Sequence, residues 1–100
     1  MTLAPLAFET EARLLALLAH PIRLQIVDLL RHSEVCVCDM QAALGQRQAY
    51  VSQHLMALRE AGLVTCRKDR LRVYYRLSDP RILRVLDQVR VVNQGSHHHI

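Results

Sequence analysis

The fold is decided by residues 47–67, RQAYVSQHLMALREAGLVTCR, together with LRVYYRL over 71–77. Apolar residues recur at helical spacing in the first part of this stretch until Gly62, a residue type that commonly ends helices. After the glycine the pattern changes to the period of a β-strand, and it resumes in 71–77 after a polar connection. We therefore predict a helix over 47–61 and a β-hairpin with strands over 63–67 and 71–77. The apolar stripe of the predicted helix is Val51, Leu55 and Leu58.

The same periods predict the elements on either side of this stretch. Upstream lie two amphipathic helices, an extended segment EVCVC, and a short helix that ends at Gly45. Asp39 is a favoured residue type for the N-cap of that short helix. The expected fold is therefore mainly α-helical with one small β-hairpin. In chain order, the bounds of these other elements are 6–19, 21–32, 34–38, 39–44 and, after the hairpin, 80–92.

The composition limits the class of protein. A chain of 100 residues suits one domain, which we expect over 1–94, followed by a flexible tail over 95–100 with three histidines of native or purification origin. No apolar run is long enough for a membrane span and no signal peptide is visible. Three cysteines, two of them close together, favour a reducing cytoplasm. Because no phosphate loop or nucleophile–base set is present in the sequence, no enzyme activity is expected.

Basic residues are concentrated in the predicted hairpin. The net charge is +4, and all but one of the thirteen basic residues are arginine, whose guanidinium pairs with phosphate and with guanine edges. The hairpin connection is 68–70, in which Asp69 is the residue type that tolerates a left-handed conformation. The hairpin therefore presents a surface suited to nucleic acid. Its basic residues are Arg67, Lys68, Arg70, Arg72 and Arg76.

Two short helices joined by a tight turn and followed by a basic hairpin describe a winged helix-turn-helix. Four segments, AHPIRLQIVDLL, EVCVCDMQAALG, YVSQHLMALREAGLV and RVYYRLSDP, together resemble the ArsR/SmtB family of metal-responsive bacterial repressors over about residues 12–82. The resemblance implies a homodimer, formed through the N- and C-terminal helices, that binds double-stranded operator DNA. It also implies that a thiophilic metal or metalloid releases the DNA.

The candidate DNA contacts lie on the helix over 47–61, the predicted recognition helix, and on the hairpin, the predicted wing. Polar residues are expected opposite the apolar stripe, where glutamine can pair with adenine and serine with a base or a phosphate. The family usually has serines near 47 and 49, where this chain has Arg47 and Ala49. The alternative interpretation is an ordinary solvated surface. The candidates are Arg47, Gln48, Tyr50, Ser52, Gln53, His54, Lys68, Arg70 and Arg72.

Cys36 and Cys38 are the candidate sensor. In an extended segment both thiols point to one side with their Cα atoms about 6–7 Å apart, which suits chelation of one soft ion. On a regular helix, residues i and i+2 lie about 200° apart and do not share an ion. The segment resembles the thiolate metal box of the family. Chelation would therefore act at the start of the helix that precedes the recognition helix.

The number of ligands leaves the inducer open. Arsenite or antimonite is the expected inducer, with Cd²⁺, Pb²⁺ and Zn²⁺ as alternatives, and no obligate cofactor is expected. Trivalent arsenic prefers three thiolates and Zn²⁺ four ligands, whereas the pair supplies two. Relatives with an arsenic box often add a third cysteine where this chain has Met40-Gln41. There are three candidates for the third ligand: Cys66, a residue of the other subunit, and a small thiol. If Cys66 is not a ligand, it is a small side chain that fills space in its strand.

Three other interpretations of the thiols stay open. One is that the pair is buried filler without metal chemistry, and another is that the same DNA-binding fold responds to thiol redox change or to sulfide. A more distant alternative is a thiol metal-buffering protein without a DNA function. The recognition-helix motif and the arginine-rich wing argue against that last class.

A dimer is expected because one winged helix reads only one half-site. The first and last predicted helices carry apolar stripes that exceed what one small core needs. The alternative is that these stripes fill the core of one subunit. The stripe residues are Leu14, Leu17, Leu18, Leu83, Leu86 and Val89.

Overall fold

The computed structural model describes residues 7–97 and the side chains as far as residue 95. The predicted order of elements is confirmed, with helices α1 to α5 and strands β1 to β3. Their bounds are α1 Glu9–Leu18, α2 Pro21–Leu29, β1 Val35–Cys36, α3 Val37–Leu44, α4 Gln48–Glu60, β2 Val64–Asp69, β3 Arg72–Leu77 and α5 Ile82–His97. Over these residues, no helix combines the length and the apolar character needed to cross a membrane.

The hairpin belongs to a small antiparallel sheet in the order β1-β3-β2. Strand β1 adds to the outer side of β3, with Val35 opposite Tyr75 and Cys36 opposite Tyr74. The sheet therefore ties the segment that carries the two neighbouring cysteines directly to the wing.

The extended segment is shorter than predicted, and the N-cap of α3 is a different residue. We predicted an extended run over 34–38 and Asp39 as the cap, but α3 begins at Val37 and Cys36 is the N-cap. The Cys36 Sγ accepts a hydrogen bond from the Cys38 N–H at 3.3 Å. This acceptor lets the chain enter the helix directly after its last β1 residue, which leaves Asp39 in the first turn, where the helix dipole favours a negative charge.

The tip of the wing also differs from the prediction. Asp69 pairs with Arg72 inside the ladder, so the turn consists of Arg70 and Leu71. Arg70, not Asp69, adopts the left-handed conformation, with a φ of 57°. A side chain with a Cβ is disfavoured there by about 1–2 kcal/mol, which glycine avoids.

The last helix extends beyond the predicted end at residue 92. It continues to His97 despite Gly95, a residue type of low helix propensity, and no proline interrupts it. The expected tail over 95–100 is therefore helical at its start, and residues 98–100 lie outside the described residues.

The core holds the two helices of the helix-turn-helix against α2 and the sheet. Its fully buried side chains come from α2, α3, α4 and β2, and those that α4 contributes are the predicted apolar stripe. Two glycines end the paired helices in the left-handed conformation, Gly45 after α3 with φ 63° and Gly62 after α4 with φ 79°. The fully buried side chains are Ile26, Val27, Met40, Val51, Leu55, Leu58 and Val64.

Candidate nucleic-acid interface and thiol site

The N-terminal end of α4 is open to solvent. Arg47 is the N-cap and forms no side-chain capping bond, and the first turn contains no acidic residue. The first backbone N–H groups of a helix lack partners within it and attract anions such as phosphate. Gln48 and Gln53 are exposed, and Tyr50 is 44% exposed. These side chains therefore have the accessibility that a DNA contact needs.

His54 does not lie on that exposed surface, so its predicted position opposite the apolar stripe is wrong. The side chain is only 9% exposed, and its Nδ1 accepts a hydrogen bond from Nε of Arg23 on α2 at 3.0 Å. His54 follows Val51 by three positions and precedes Leu58 by four, which is the spacing of the stripe itself. That spacing was the signal in the sequence that places the imidazole inside.

The basic residues of the wing are exposed, but they differ in whether they pair with another side chain of the same chain. Lys68, Arg70 and Arg72 are exposed. Arg67 instead donates from Nε to both carboxylate oxygens of Glu34, at 3.0 and 2.9 Å, and its guanidinium lies 4.6 Å from the centre of the Tyr74 ring. The hydrogen bonds from Arg67 lower the pKa of the Glu34 carboxyl, so the pair is charged near neutral pH.

Cys36 and Cys38 are joined by a disulfide, with their Cα atoms 5.3 Å apart. Cys36 is buried and Cys38 is exposed. The expected proximity of the sulfurs is therefore present, although one residue ends β1 and the other lies in the first turn of α3. A helix N-terminus stabilises a thiolate, which is the form that binds metals and attacks oxidants.

The two cysteines share a cavity with candidate DNA contacts. This cavity, the shared cavity, has a volume of about 320 Å³ and lies where β1, α3, α4 and the wing meet. Any change of volume or polarity at the sulfurs therefore occurs beside side chains at the start of α4. Its lining residues are Cys36, Val37, Cys38, Gln41, Gln48, Ser52, Leu71, Arg72, Val73 and Tyr75.

Cys66 lies apart from the pair. It is on β2 opposite Tyr75, its thiol is free, and it lines a different cavity, together with Glu34 and Tyr74. Within residues 7–97, no group of three or more His, Cys, Asp or Glu side chains is positioned to hold a metal ion. The structure therefore places Cys36 and Cys38 together but does not bring Cys66 to them.

The sequence matches the family model described as bacterial regulatory protein, arsR family, over residues 20–65. A biofilm growth-associated repressor of Agrobacterium fabrum is 40% identical over 76 residues, which cover 76% of this chain and 65% of the relative. The arsenical resistance operon repressor of Escherichia coli is 46% identical over 74 residues, covering 73% and 63%. The chain thus spans a little less than two thirds of the length of these relatives.

Solved structures with this fold include transcription regulators. The crystal structure of Mycobacterium tuberculosis Rv0081 matches with a TM-score of 0.83 and 30% identity, covering 96% of each chain. A homodimeric winged helix-turn-helix DNA-binding domain from Mycobacterium bovis, described as a possible ArsR-family regulator, matches with a TM-score of 0.77 and 36% identity. That match covers 93% of this chain and 88% of the other.

Proposed function

Because the chain belongs to the ArsR family of bacterial regulatory proteins, we propose that it is a homodimeric repressor that releases operator DNA when a thiophilic metal or metalloid binds Cys36 and Cys38. The family and the fold are those of transcriptional regulators, which are not enzymes. The observation that carries the proposal is the shared cavity, which the two cysteines line together with Gln48 and Ser52 of α4.

On DNA, the open end of α4 enters the major groove and the wing lies beside it. Gln48 and Gln53 supply amide groups that pair with adenine, and Ser52 and Arg47 reach a base or a phosphate. Arg70, at the tip of the wing, contacts the neighbouring backbone or minor groove. Arg47, Gln48, Gln53 and Arg70 are exposed and Ser52 is half-buried, and the first turn of α4 contains no acidic residue. These observations support the arrangement.

The inducer is a soft ion, with arsenite or antimonite expected and Cd²⁺, Pb²⁺ or Zn²⁺ as alternatives. The pair must first be reduced by a cellular thiol. Each Cys thiol then transfers its proton to a departing hydroxide of As(OH)₃, so that two As–S bonds replace two As–O bonds and two waters leave. The third As bond goes to hydroxide or to a thiol from outside this pair. Cys66 would have to leave its own cavity to serve, which favours a small thiol or the other subunit.

The dimer forms through α1 and α5. Part of their apolar stripes belongs to the core of one subunit, since Leu18 and Leu86 are buried. Other apolar residues stay accessible on the same helices, including Leu15 at 55% and Val89 at 53%. A cavity of about 200 Å³ with an almost entirely apolar lining lies between these helices and α2. Such a surface suits burial against a second copy.

The test is a titration of DNA release by arsenite under full reduction. A duplex selected from a random-sequence pool by the reduced wild-type chain, the selected duplex, serves as the probe. We expect arsenite to release it from wild type and from Cys66→Ser at the same concentration. Cys36→Ser and Cys38→Ser should require on the order of 100-fold more arsenite, since one remaining thiol loses the effective-concentration advantage of the chelate. Binding of the selected duplex that no soft ion weakens would contradict the proposal.

The disulfide favours a second candidate function, a repressor that responds to oxidation. A peroxide would take two electrons from the Cys36 and Cys38 thiols, forming the disulfide and two waters from two thiols and one H₂O₂. The discriminating measurement is the affinity of the oxidised, metal-free chain for the selected duplex. A large loss that a dithiol reductant reverses supports oxidation sensing, and an unchanged affinity excludes it.

A further inference from the structure

Four side chains form a polar cluster behind the recognition helix. Arg23 of α2 donates from Nε to Nδ1 of His54 at 3.0 Å and from Nη1 to the Leu17 carbonyl of α1 at 2.9 Å. The His54 ring meets the Tyr50 ring edge-on at 4.6 Å and lies 5.8 Å from the His20 ring. One guanidinium therefore connects three helices, and the imidazole it holds also supports an exposed residue of α4.

The hydrogen bond from Arg23 requires a neutral imidazole. Nδ1 accepts a proton only when it carries none, and a protonated imidazole is a donor at both nitrogens. Protonation of His54 would therefore remove the bond and bring a second positive charge against the Arg23 guanidinium. Burial, the charge of Arg23 and then that of His20 lower the pKa of the His54 imidazole, so the bonded state dominates at neutral pH.

We propose that the hydrogen bond between Arg23 and His54 is a positioning contact for DNA recognition, which holds α4 and Tyr50 in their binding arrangement only while His54 is neutral. Acidification therefore weakens DNA binding through this one group. The inference rests on the proposed function only in requiring that α4 contacts DNA, and it is independent of the thiols.

The groups that face His54 come from each element packed against it. Arg23 faces it from α2, His20 from the residue before α2, and Tyr50 from α4 itself. The contribution of α1 to the cluster is the uncharged Leu17 carbonyl, which accepts a hydrogen bond from Arg23. His20 is exposed and lies outside α4, so it serves as the matched control.

The sign of the effect separates this contact from general electrostatics. Acidification makes histidines positive, which by itself strengthens attraction to DNA phosphates. A loss of affinity at low pH therefore needs a specific cause. If DNA binding needs neutral His54, the affinity for DNA falls with the neutral fraction of this one group. Because its pKa lies below the ordinary value of about 6.5, the loss of affinity at pH 5.5 is at most about tenfold.

The experiment compares Kd for the selected duplex at pH 7.5 and 5.5 in wild type, His54→Asn and His20→Asn. The asparagine Oδ1 replaces Nδ1 as an acceptor but does not titrate. We expect wild type and His20→Asn to lose severalfold affinity at pH 5.5, and His54→Asn to lose none. A wild-type affinity that is unchanged or higher at pH 5.5 would overturn the inference. So would an equal loss in His54→Asn, or its disappearance in His20→Asn.

A second measurement needs no variant and so does not depend on one folding. The pKa of His54 is followed by NMR in wild type, free and bound to the selected duplex. Since coupling is reciprocal, binding of DNA must lower the pKa of His54, and an equal or higher value in the complex contradicts the inference. Failure to select any duplex at pH 7.5 would instead count against the proposed function itself.

Discussion

The two helices of the helix-turn-helix begin at the same cavity but are capped in different ways. At the start of α3, the buried Cys36 accepts the Cys38 N–H through its own sulfur. At the start of α4, Arg47 is exposed and supplies no side-chain cap. At the start of α3 a backbone N–H therefore has its hydrogen-bond acceptor within the chain, and a chemical change at the Cys36 sulfur alters that bond. The second end leaves N–H groups for an external anion, which suits a DNA contact.

The largest effect, on the free energy of unfolding, should follow from a change in the core that holds the starts of α3 and α4 in place. Leu55 is fully buried in the core beneath α3 and α4. Leu55→Ala should lower the free energy of unfolding by about 2–5 kcal/mol through lost burial and a cavity. Chemical denaturation measures this, with Met56→Ala on the exposed side of α4 as the control, expected within about 0.5 kcal/mol. Similar losses in the two variants would contradict the assigned core.

The two exposed glutamines of α4 sharpen the comparison, since only Gln48 lines the shared cavity. Gln48→Ala and Gln53→Ala should each lower affinity for the selected duplex, by about 1–3 kcal/mol if each pairs with a base. Only Gln48→Ala should also change the arsenite concentration that releases DNA. Fluorescence anisotropy measures both quantities. An unchanged arsenite response in Gln48→Ala would contradict the claim that the shared cavity takes part in sensing.

The cap of α3 can be tested directly under reducing conditions. Cys36→Ala removes the acceptor for the Cys38 N–H and should cost about 1 kcal/mol in the free energy of unfolding, a typical value for loss of an N-cap. Cys36→Ser keeps an acceptor at the same position and should retain the stability of wild type. Thermal and denaturant unfolding compare the two. Equal destabilisation in both would show that the sulfur does not act as the cap.

The smallest effect concerns the tip of the wing. Arg70→Ala and Arg70→Gly both remove the charge, so each should reduce the slope of log K against log salt by about 1. Glycine also removes the strain at φ 57°, so Arg70→Gly should be up to about 1 kcal/mol more stable than Arg70→Ala. Salt titrations and unfolding curves check the two parts separately. A slope equal to that of wild type in both variants would argue against a phosphate contact.

The sequence predicted the order of elements because hydrophobic period and glycine position determine it locally. The stripe of Val51, Leu55 and Leu58 and the alternation in 71–77 were sufficient for α4 and the hairpin. The pairing of β1 with β3 was not predictable in the same way. It depends on a contact between residues far apart in the chain, which no local pattern contains.

Local chemistry explains the corrections to the candidate site. Aspartate is the better N-cap by residue type, but Cys36 precedes Asp39 in the chain and its sulfur already accepts the hydrogen bond from the Cys38 N–H. His54 is polar by type yet sits at core spacing, where Arg23 satisfies it. Arg67 contributes to the charge count of the wing, but Glu34 engages it. In each case a specific partner overrides an average preference, and only the folded chain identifies that partner.

The central claim is that the thiols and the DNA-contacting end of α4 are coupled through the cavity they share. The most direct test measures the affinity of the reduced chain for arsenite twice, free and saturated with the selected duplex. Because coupling is reciprocal, DNA should weaken arsenite binding by the same factor by which arsenite weakens DNA binding. Equal arsenite affinity in the two states would contradict the claim.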